Sequence, residues 1–119
     1  VGYHLLLEGI FMDNKHRFYV DVLVHPKYRE SFHSLMIEHS RNTLQNEFGC
    51  LEFDVFIDVP NPNKFALFEV YADDVSLDYH KNSKSLGKFR QFTDHMISKR
   101  TIYLISSQLD VSEFPGDNN

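Results

Sequence analysis

The sequence is poor in several residue types, and each shortage excludes a class of protein. Its 119 residues include one cysteine, no tryptophan, five glycines and four prolines. Because the single cysteine, Cys50, cannot form a disulfide within the chain, we expect a reduced, cytoplasmic protein rather than a disulfide-stabilised secreted one. No apolar run in the sequence approaches the roughly 18 residues of a membrane-spanning helix.

Positive charge is also scarce. The chain has 12 Lys and Arg against 17 Asp and Glu, a net charge of −5. Nucleic acids and anionic bilayers are bound by dense fields of Lys and Arg, so we expect neither as the main partner. Apolar residues are abundant, at 42%, as are aromatic residues, at 14%, and there are seven histidines. This composition suits one domain that buries its own core.

The chain divides into three parts. Residues 1–16 form an N-terminal extension, which could be foreign sequence ahead of a native start at Met12. Residues 17–109 carry the periodic apolar patterns of a folded domain. Residues 110–119 form a polar C-terminal tail rich in turn-forming residues, and we expect it to add little to the core.

Apolar periodicity within the domain predicts its elements. Alternating β-branched and aromatic residues predict strands over 17–24, 50–58, 64–72 and 100–109. Apolar spacings of three and four predict helices over 27–46 and 75–81 and in a further stretch containing 86–96. The order β-α-β-β-α-β predicts a ferredoxin-like α+β fold, in which four antiparallel strands carry the helices on one face.

The third predicted strand is apolar on both of its faces. One face carries Phe65, Leu67 and Tyr71, and the other carries Ala66, Phe68, Val70 and Ala72. Since the helices cover only one side of the sheet, the other side would be an aggregation hazard in a monomer. We therefore predict a homodimer that packs sheet against sheet. The alternative is that residues 1–16 cover this face.

Glu69 is the polar exception on the helix-facing side of the third strand. A carboxylate on a buried apolar face is either paired or has a raised pKa, and a raised pKa suits a general base. The competing interpretation is a structural ion pair or a hydrogen bond to a backbone amide.

Three histidines stand at positions that favour a site. His39 lies on the apolar stripe of the first helix, His25 ends the first strand, and His80 ends the helix after the third strand. A buried histidine that only packs is the alternative for His39. No pair has the spacing of a metal site and the only cysteine is solitary, so we predict no metal.

A basic stretch accompanies His80. Lys81, Lys84, Lys88 and Arg90 follow it in sequence. They are expected to form a solvated helix face, or to steer an anionic or phosphorylated substrate toward His80.

Three segments resemble the antibiotic biosynthesis monooxygenase domain family. These are the run Asn46-Glu47-Phe48-Gly49-Cys50-Leu51-Glu52-Phe53-Asp54-Val55, the run Phe68-Glu69-Val70-Tyr71, and His80-Lys81-Asn82-Ser83. The pattern is most similar to the quinol-monooxygenase-like and autoinducer-2-degrading branches. It extends over about 18–106. Phe48 stands where the family usually has proline, and Ser85 where a second histidine is often found.

The resemblance implies a dimeric α+β barrel of two ferredoxin-like subunits, each with a pocket between sheet and helices. Members oxidise electron-rich phenols or quinols with molecular oxygen and without metal or flavin, or isomerise small phosphorylated diketones. Carried over by position, the pocket residues are Glu69, Tyr71 and His80. The loss of the second histidine leaves the choice of branch open.

The leading hypothesis is therefore a cofactor-independent monooxygenase acting on a small enolisable, quinol or phenol-type substrate. The predicted catalytic residues are Glu69, His80 and Tyr71, and the predicted substrate-binding residues are His25, His39, Phe53 and Phe65. The predicted partners are a small-molecule substrate, molecular oxygen and a second copy of the chain. The alternatives are an isomerase for a phosphorylated diketone signal and a non-catalytic ligand-binding dimer.

Overall fold

The computed structural model describes residues 5–7, 10–105 and 108–109, with side chains from Asp13 to Ile105. The strands are β1 (Leu5–Leu7), β2 (Ile10–Met12), β3 (His16–Val24), β4 (Cys50–Ile57), β5 (Lys64–Tyr71), β6 (Ile97–Ile105) and β7 (Gln108–Leu109). The α-helices are α1 (Arg29–Asn46), α2 (Asp74–Lys81) and α3 (Lys84–Thr93), and 3-10 turns cover Pro26–Tyr28 and Asp94–Met96. The predicted tail, 110–119, lies outside the described residues.

The main sheet has the strand order β4-β5-β3-β6, and every neighbouring pair is antiparallel. The side chains of α1 and α3 pack on one of its faces, where Phe32 contacts both Phe65 and Phe89. The predicted ferredoxin-like α+β fold is confirmed. A second, antiparallel sheet has the order β1-β2-β7, so part of the N-terminal extension pairs with a segment that follows the main sheet.

The core lies between the main sheet and the helices. Val20, Val22 and Val24 of β3 are buried and alternate as predicted, and Phe32 and Met36 of α1 pack on them. Phe32 is fully buried. Burial of one such side chain contributes about 1.5–3 kcal/mol to folding, so this stripe fixes how α1 sits on the sheet.

Strand β4 departs from the predicted alternation. Cys50 pairs with Tyr71, but Glu52 pairs with Val70, which leaves Leu51 as the extra residue of a β-bulge. Strict alternation over 50–58 places Leu51 on the core face with Phe53, but the bulge turns Leu51 outward and leaves it 46% exposed. Cys50 is buried in its place.

The boundaries of the last predicted strand, 100–109, are also wrong. Strand β6 begins at Ile97, which pairs with Val24, because His25 N–H already donates to the Met96 carbonyl at 2.9 Å. It ends at Ile105, and the chain then joins the small sheet as β7.

The start of β4 and the start of α2 are in close contact. Asp73 caps α2, since its carboxylate accepts hydrogen bonds from the Ser76 amide at 2.9 Å and the Ser76 hydroxyl at 2.7 Å. Ala72 N–H donates to the Gly49 carbonyl at 2.9 Å. A Cβ on Gly49 would lie 1.9 Å from Ser76 Oγ. Glycine is therefore required at this position for α2 to reach the sheet.

The face of the main sheet opposite the helices is apolar at several positions. Tyr19, Leu23, Phe56, Tyr103 and Ile105 are exposed on it. None of the helices in the described residues is long and apolar enough to cross a bilayer.

Replacement of Gly49 tests the close approach of α2. Gly49→Ala is expected to destabilise the fold by about 1–3 kcal/mol, because the new methyl group overlaps Ser76 and displaces the capped end of α2. Gly87→Ala is the matched control, since nothing lies within 4 Å of a Cβ there. In the interior of α3 the control should stabilise by up to about 1 kcal/mol. Urea unfolding of both variants measures the difference, and equal stabilities would contradict the assignment.

Candidate active site

A cavity of about 160 Å³ opens between the main sheet and the helices. Most of its wall is apolar and comes from both layers, with Phe18, Val20, Phe53 and Leu67 from the sheet and Phe32, Met36, Leu77, Leu86 and Phe89 from the helices. Its polar residues are His39, Glu69, Tyr71, His80, Lys81, Arg90 and Arg100. An apolar cavity with a few convergent polar groups is the usual form of a small-molecule site.

Glu69 and Tyr71 project into this cavity from the same face of β5. The Tyr71 hydroxyl donates a hydrogen bond to Glu69 Oε1 at 2.7 Å. Burial raises the pKa of Glu69 above its usual value, although the bond from Tyr71 and the charge of His80 act in the opposite direction. Burial and the nearby Glu69 also raise the pKa of the Tyr71 phenol, so it remains a donor.

His80 connects Glu69 to a second buried carboxylate, Glu47. Nδ1 of His80 lies 2.9 Å from Oε1 of Glu47, and Nε2 lies 3.9 Å from Oε1 of Glu69. The Tyr71 ring packs on the imidazole, with 4.8 Å between ring centroids. The contacts therefore run Glu47, His80, Glu69, Tyr71, and both partners of the imidazole are acidic.

Glu47 holds this position because α1 ends there. Its backbone N–H donates to the Thr43 carbonyl at 2.9 Å, and its side chain is 6% exposed. Its Oε2 is buried without a hydrogen-bond partner among the described residues. Glu47 was not predicted from the sequence to have a role, although it belongs to the run from Asn46 to Val55 that carries the family resemblance.

His39 forms part of the apolar wall. Its ring stacks on Phe89 with centroids 4.3 Å apart and meets the edge of Phe53 at 5.7 Å. Burial lowers the pKa of His39 to about 4, and the charges of His80 and Arg90 add to this effect. At neutral pH His39 is therefore an uncharged surface for a ligand to pack on.

The structure brings together five of the seven residues predicted for the site. Glu69, Tyr71, His80, His39 and Phe53 all line the cavity. The other two lie elsewhere: His25 is exposed at the far end of β3, and Phe65 is fully buried in the core against Phe32, 5.0 Å between centroids. These two placements correct the predicted site, since neither residue is in the cavity wall.

Cys50 and the serine of the His-X-X-Ser motif have structural positions. Cys50 is buried, and burial together with the nearby Glu69 raises the pKa of its thiol to about 12, which leaves it unreactive. Ser83 caps α3, since its hydroxyl accepts from the Leu86 amide at 3.2 Å. Within the described part of the chain no group of three or more His, Cys, Asp or Glu side chains is placed to hold a metal ion.

The cavity mouth is positively charged. Lys81 ends α2, Arg90 lies on α3 and Arg100 lies on β6, and all three line the cavity. Lys84 and Lys88, of the same basic stretch, do not line it. The stretch is therefore divided between the site and the solvated surface.

A family comparison agrees with this geometry. The family model described as antibiotic biosynthesis monooxygenase matches residues 16–92. The chain belongs to the antibiotic biosynthesis monooxygenase family. The match includes Glu47, Glu69, Tyr71 and His80. No curated protein matches the sequence significantly.

Several solved structures have the same fold as this chain. A candidate antibiotic biosynthesis monooxygenase from Nitrosomonas europaea superposes with a TM-score of 0.74 at 18% identity, covering 87% of this chain and 95% of the other. A similar candidate from Bacteroides thetaiotaomicron superposes with a TM-score of 0.72 at 20% identity, covering 87% of this chain and 93% of the other. A conserved protein from Methanosarcina mazei superposes with a TM-score of 0.72 at 23% identity, covering 79% of this chain and 93% of the other. At these identities the likeness establishes the fold.

The low pKa of His39 predicts a measurable pH dependence. By NMR, the His39 ring should stay neutral until the pH approaches about 4. The unfolded chain takes up this proton near its ordinary pKa of about 6.5, so the free energy of unfolding should fall as the pH drops from about 6.5 to 4. His39→Phe should remove part of that decline. A His39 ring that titrates near 6.5 in the folded protein would contradict the buried placement.

Proposed function

We propose that this protein is a monooxygenase that oxidises a small phenol or quinol with molecular oxygen and needs no metal or flavin. The observation that carries the proposal is the series of contacts from Glu47 through His80 to Glu69 and Tyr71, at the wall of an apolar cavity. Membership of the antibiotic biosynthesis monooxygenase family supports the reaction class. The substrate class follows from the chemistry that these residues can perform.

His80 is the base in this proposal. A carboxylate accepts hydrogen bonds and does not donate them, so Glu47 at 2.9 Å holds the proton of the neutral imidazole on Nδ1. The lone pair is then on Nε2, on the side of Glu69 and the cavity. Removal of the substrate's hydroxyl proton by Nε2 gives an imidazolium between two carboxylates, which stabilise it.

Glu69 is a second acceptor for the same proton, and Tyr71 orients it. Glu69 lies 3.9 Å from Nε2, so a hydroxyl placed against the imidazole also lies near this carboxylate. Its raised pKa makes it a better proton acceptor than an exposed glutamate. Tyr71 donates to Glu69, so we assign Tyr71 the role of orienting this carboxylate rather than of contacting substrate.

The redox step balances with oxygen as the only oxidant. For a phenol with hydrogen para to the hydroxyl, the overall reaction is phenol + O₂ → quinone + H₂O. The phenolate gives one electron to O₂, and the resulting phenoxyl radical and superoxide combine to form a C–O bond at the para carbon. The peroxide takes one proton; loss of the para C–H proton then breaks the O–O bond, and the hydroxide that leaves takes a second proton to become water. An apolar cavity suits these steps because it excludes competing water.

Oxygen consumption with active-site variants tests the proposal. His80→Gln and Glu69→Gln are each expected to lower kcat by about 100-fold or more, since each removes a proton acceptor. His95→Gln is the matched control, because His95 is exposed and outside the cavity wall. Activity is followed as O₂ uptake by protein shown to be free of flavin and transition metals. Equal turnover under strict anaerobiosis would contradict the oxygenase and favour the isomerase; no turnover of any phenol, quinol or phosphorylated diketone would favour the ligand-binding dimer.

Glu47 is a positioning residue, and its test needs a readout beyond folding. Glu47→Gln keeps an oxygen that can accept from His80 Nδ1 but loses the charge that stabilises the imidazolium. We expect kcat to fall by about 10²–10⁴-fold with little change in KM. The acid limb of the kcat/KM profile should also move to lower pH. Glu47→Asp restores the charge and should recover part of the rate. An unchanged pH profile would show that Glu47 only supports the fold.

We also propose that the functional unit is a homodimer joined through the sheet face opposite the helices. The exposed aromatic and aliphatic side chains of that face, Tyr19, Phe56 and Tyr103 among them, support this. Asp21 lies on the same face, and its buried Oδ1 has no hydrogen-bond partner among the described residues, so a partner's donor would satisfy it.

The mass in solution tests the dimer. Sedimentation is expected to give twice the 14.0 kDa of one chain. Tyr103→Glu should shift the mass toward that of a monomer, because it places a charge in the apolar contact. Lys99→Glu is a comparison at the edge of the same face. A wild-type mass of 14.0 kDa at all concentrations would contradict the dimer.

A further inference from the structure

The size of the cavity limits the substrate to about one ring. Its volume is about 160 Å³, and its wall is mainly aromatic and aliphatic. A protein cavity of about 150 Å³ lined by Leu, Ile and Phe binds benzene, so this cavity accommodates a single six-membered ring. The His39 ring, stacked on Phe89 and uncharged at neutral pH, gives such a ring a flat surface to pack against.

The charge of the cavity mouth is opposite to that of the whole protein. The chain carries a net charge of −5, yet three cationic side chains line the cavity, and among residues 13–105 Glu69 is the single acidic residue in its wall. Within residues 13–105, no carboxylate lies within 4.0 Å of the charged nitrogens of Lys81 or Arg90. Arg100 has one weak partner, Asp94, at 3.6 Å. Most of this positive charge is therefore available to a ligand.

These cations do not serve mainly to neutralise Glu69. Arg90, Tyr71 and His80 each lower the pKa of Glu69. Burial raises it by more than these three lower it, so the pKa of Glu69 stays raised. Arg100 is not among the causes of that shift. Pairing with Glu69 therefore does not explain why Arg90 and Arg100 line the cavity.

Arg100 also lies at a suitable distance from the reacting group. Across β3, Glu69 pairs with Phe18, which pairs with Leu104, whereas Arg100 is four residues before Leu104 on β6. Four residues along a strand span about 13 Å and two strand spacings span about 10 Å, so the two backbone positions are about 16 Å apart. A substituted ring bridges this distance together with the side chains of Glu69 and Arg100.

We infer that the substrate is a single-ring phenol or quinol with an anionic substituent, whose ring occupies the cavity and whose carboxylate or phosphate group binds Arg90, Arg100 and Lys81 at its mouth. The reacting hydroxyl then lies at His80 and Glu69. This inference rests on the proposed function for the reaction but concerns binding, which is measured without turnover.

Equilibrium binding with matched ligands tests the inference. The probes are 4-hydroxybenzoate, 4-hydroxyphenyl phosphate and the neutral analogue 4-hydroxybenzyl alcohol, measured by calorimetry at low salt and without oxygen. At least one of the two anions should bind about 10-fold or more tightly than the alcohol, since hydrogen bonds to charged groups are the stronger ones. The better of the two anions identifies the substituent. Equal binding of the alcohol and both anions would overturn the inference.

Variants of the mouth locate the binding group. Arg90→Gln and Arg100→Gln should each remove most of the preference for the anion and leave binding of the alcohol unchanged. Lys88→Gln and Lys99→Gln are the controls, because both residues are exposed and outside the cavity wall. They remove the same charge from α3 and β6 and should retain the preference. A preference that survives in both arginine variants would overturn the assignment.

A size series tests the limit of one ring. A three-ring acid, anthracene-2-carboxylate, should bind at least about 10-fold more weakly than 4-hydroxybenzoate, because the closely packed wall does not expand without cost. If anthracene-2-carboxylate binds as tightly as 4-hydroxybenzoate or more tightly, the inference that the substrate has a single ring is wrong. If the single-ring acids bind as expected but neither neutral phenols nor 3-hydroxybenzoate, whose carbon para to the hydroxyl carries hydrogen, consume oxygen, the proposed function fails alone. If neutral phenols are oxidised and anions have no advantage, the inference fails alone.

Discussion

The contact between His80 and Glu47 is the interaction on which the site depends. It joins the end of α2 to the end of α1, and it fixes the imidazole beside Glu69 at 3.9 Å. The contact requires α2 to lie close to the sheet, which the absence of a side chain at Gly49 allows. A buried carboxylate with one unpartnered oxygen is costly unless a cation or donor balances it. The same contact that orients the His80 imidazole therefore also joins the ends of two helices.

The cavity separates two electrostatic environments. At its inner end, burial raises the pKa of Glu69 and keeps His39 neutral, so the proposed proton transfer belongs to a poorly solvated region. At its mouth, Arg90 and Arg100 are exposed to solvent. Among residues 13–105, their charges have no carboxylate partner closer than Asp94, which lies 3.6 Å from Arg100. Charges act more strongly inside the cavity, where water is excluded, than at its mouth, where salt screens them. The inner end of the cavity therefore suits the proposed proton transfer, and its mouth suits the binding of an anionic group.

Sequence reasoning identified the cavity-lining residues that interrupt an apolar pattern. Glu69 and His39 were recognisable because each is polar on a stripe that otherwise packs in the core, and His80 because it ends a helix beside the third strand. Glu47 was missed because it follows the last residue of α1, where an acidic side chain is ordinary on a solvated surface. His25 was predicted for the site because it ends the first strand, whereas the cavity wall takes Phe18, Val20 and Val22 from that strand and does not include His25.

The sequence by itself determined the element order, the ferredoxin-like α+β fold and the family, because apolar periods of two and near 3.6 and an ordered set of motifs are local properties. The bulge at Leu51, the early start of β6 at Ile97 and the partnership of Glu47 with His80 were decided only in the tertiary structure. They depend on which residues pair across strands and on which groups burial removes from water. Glu47 and His80 are 33 positions apart, and no periodicity within the chain relates residues so distant.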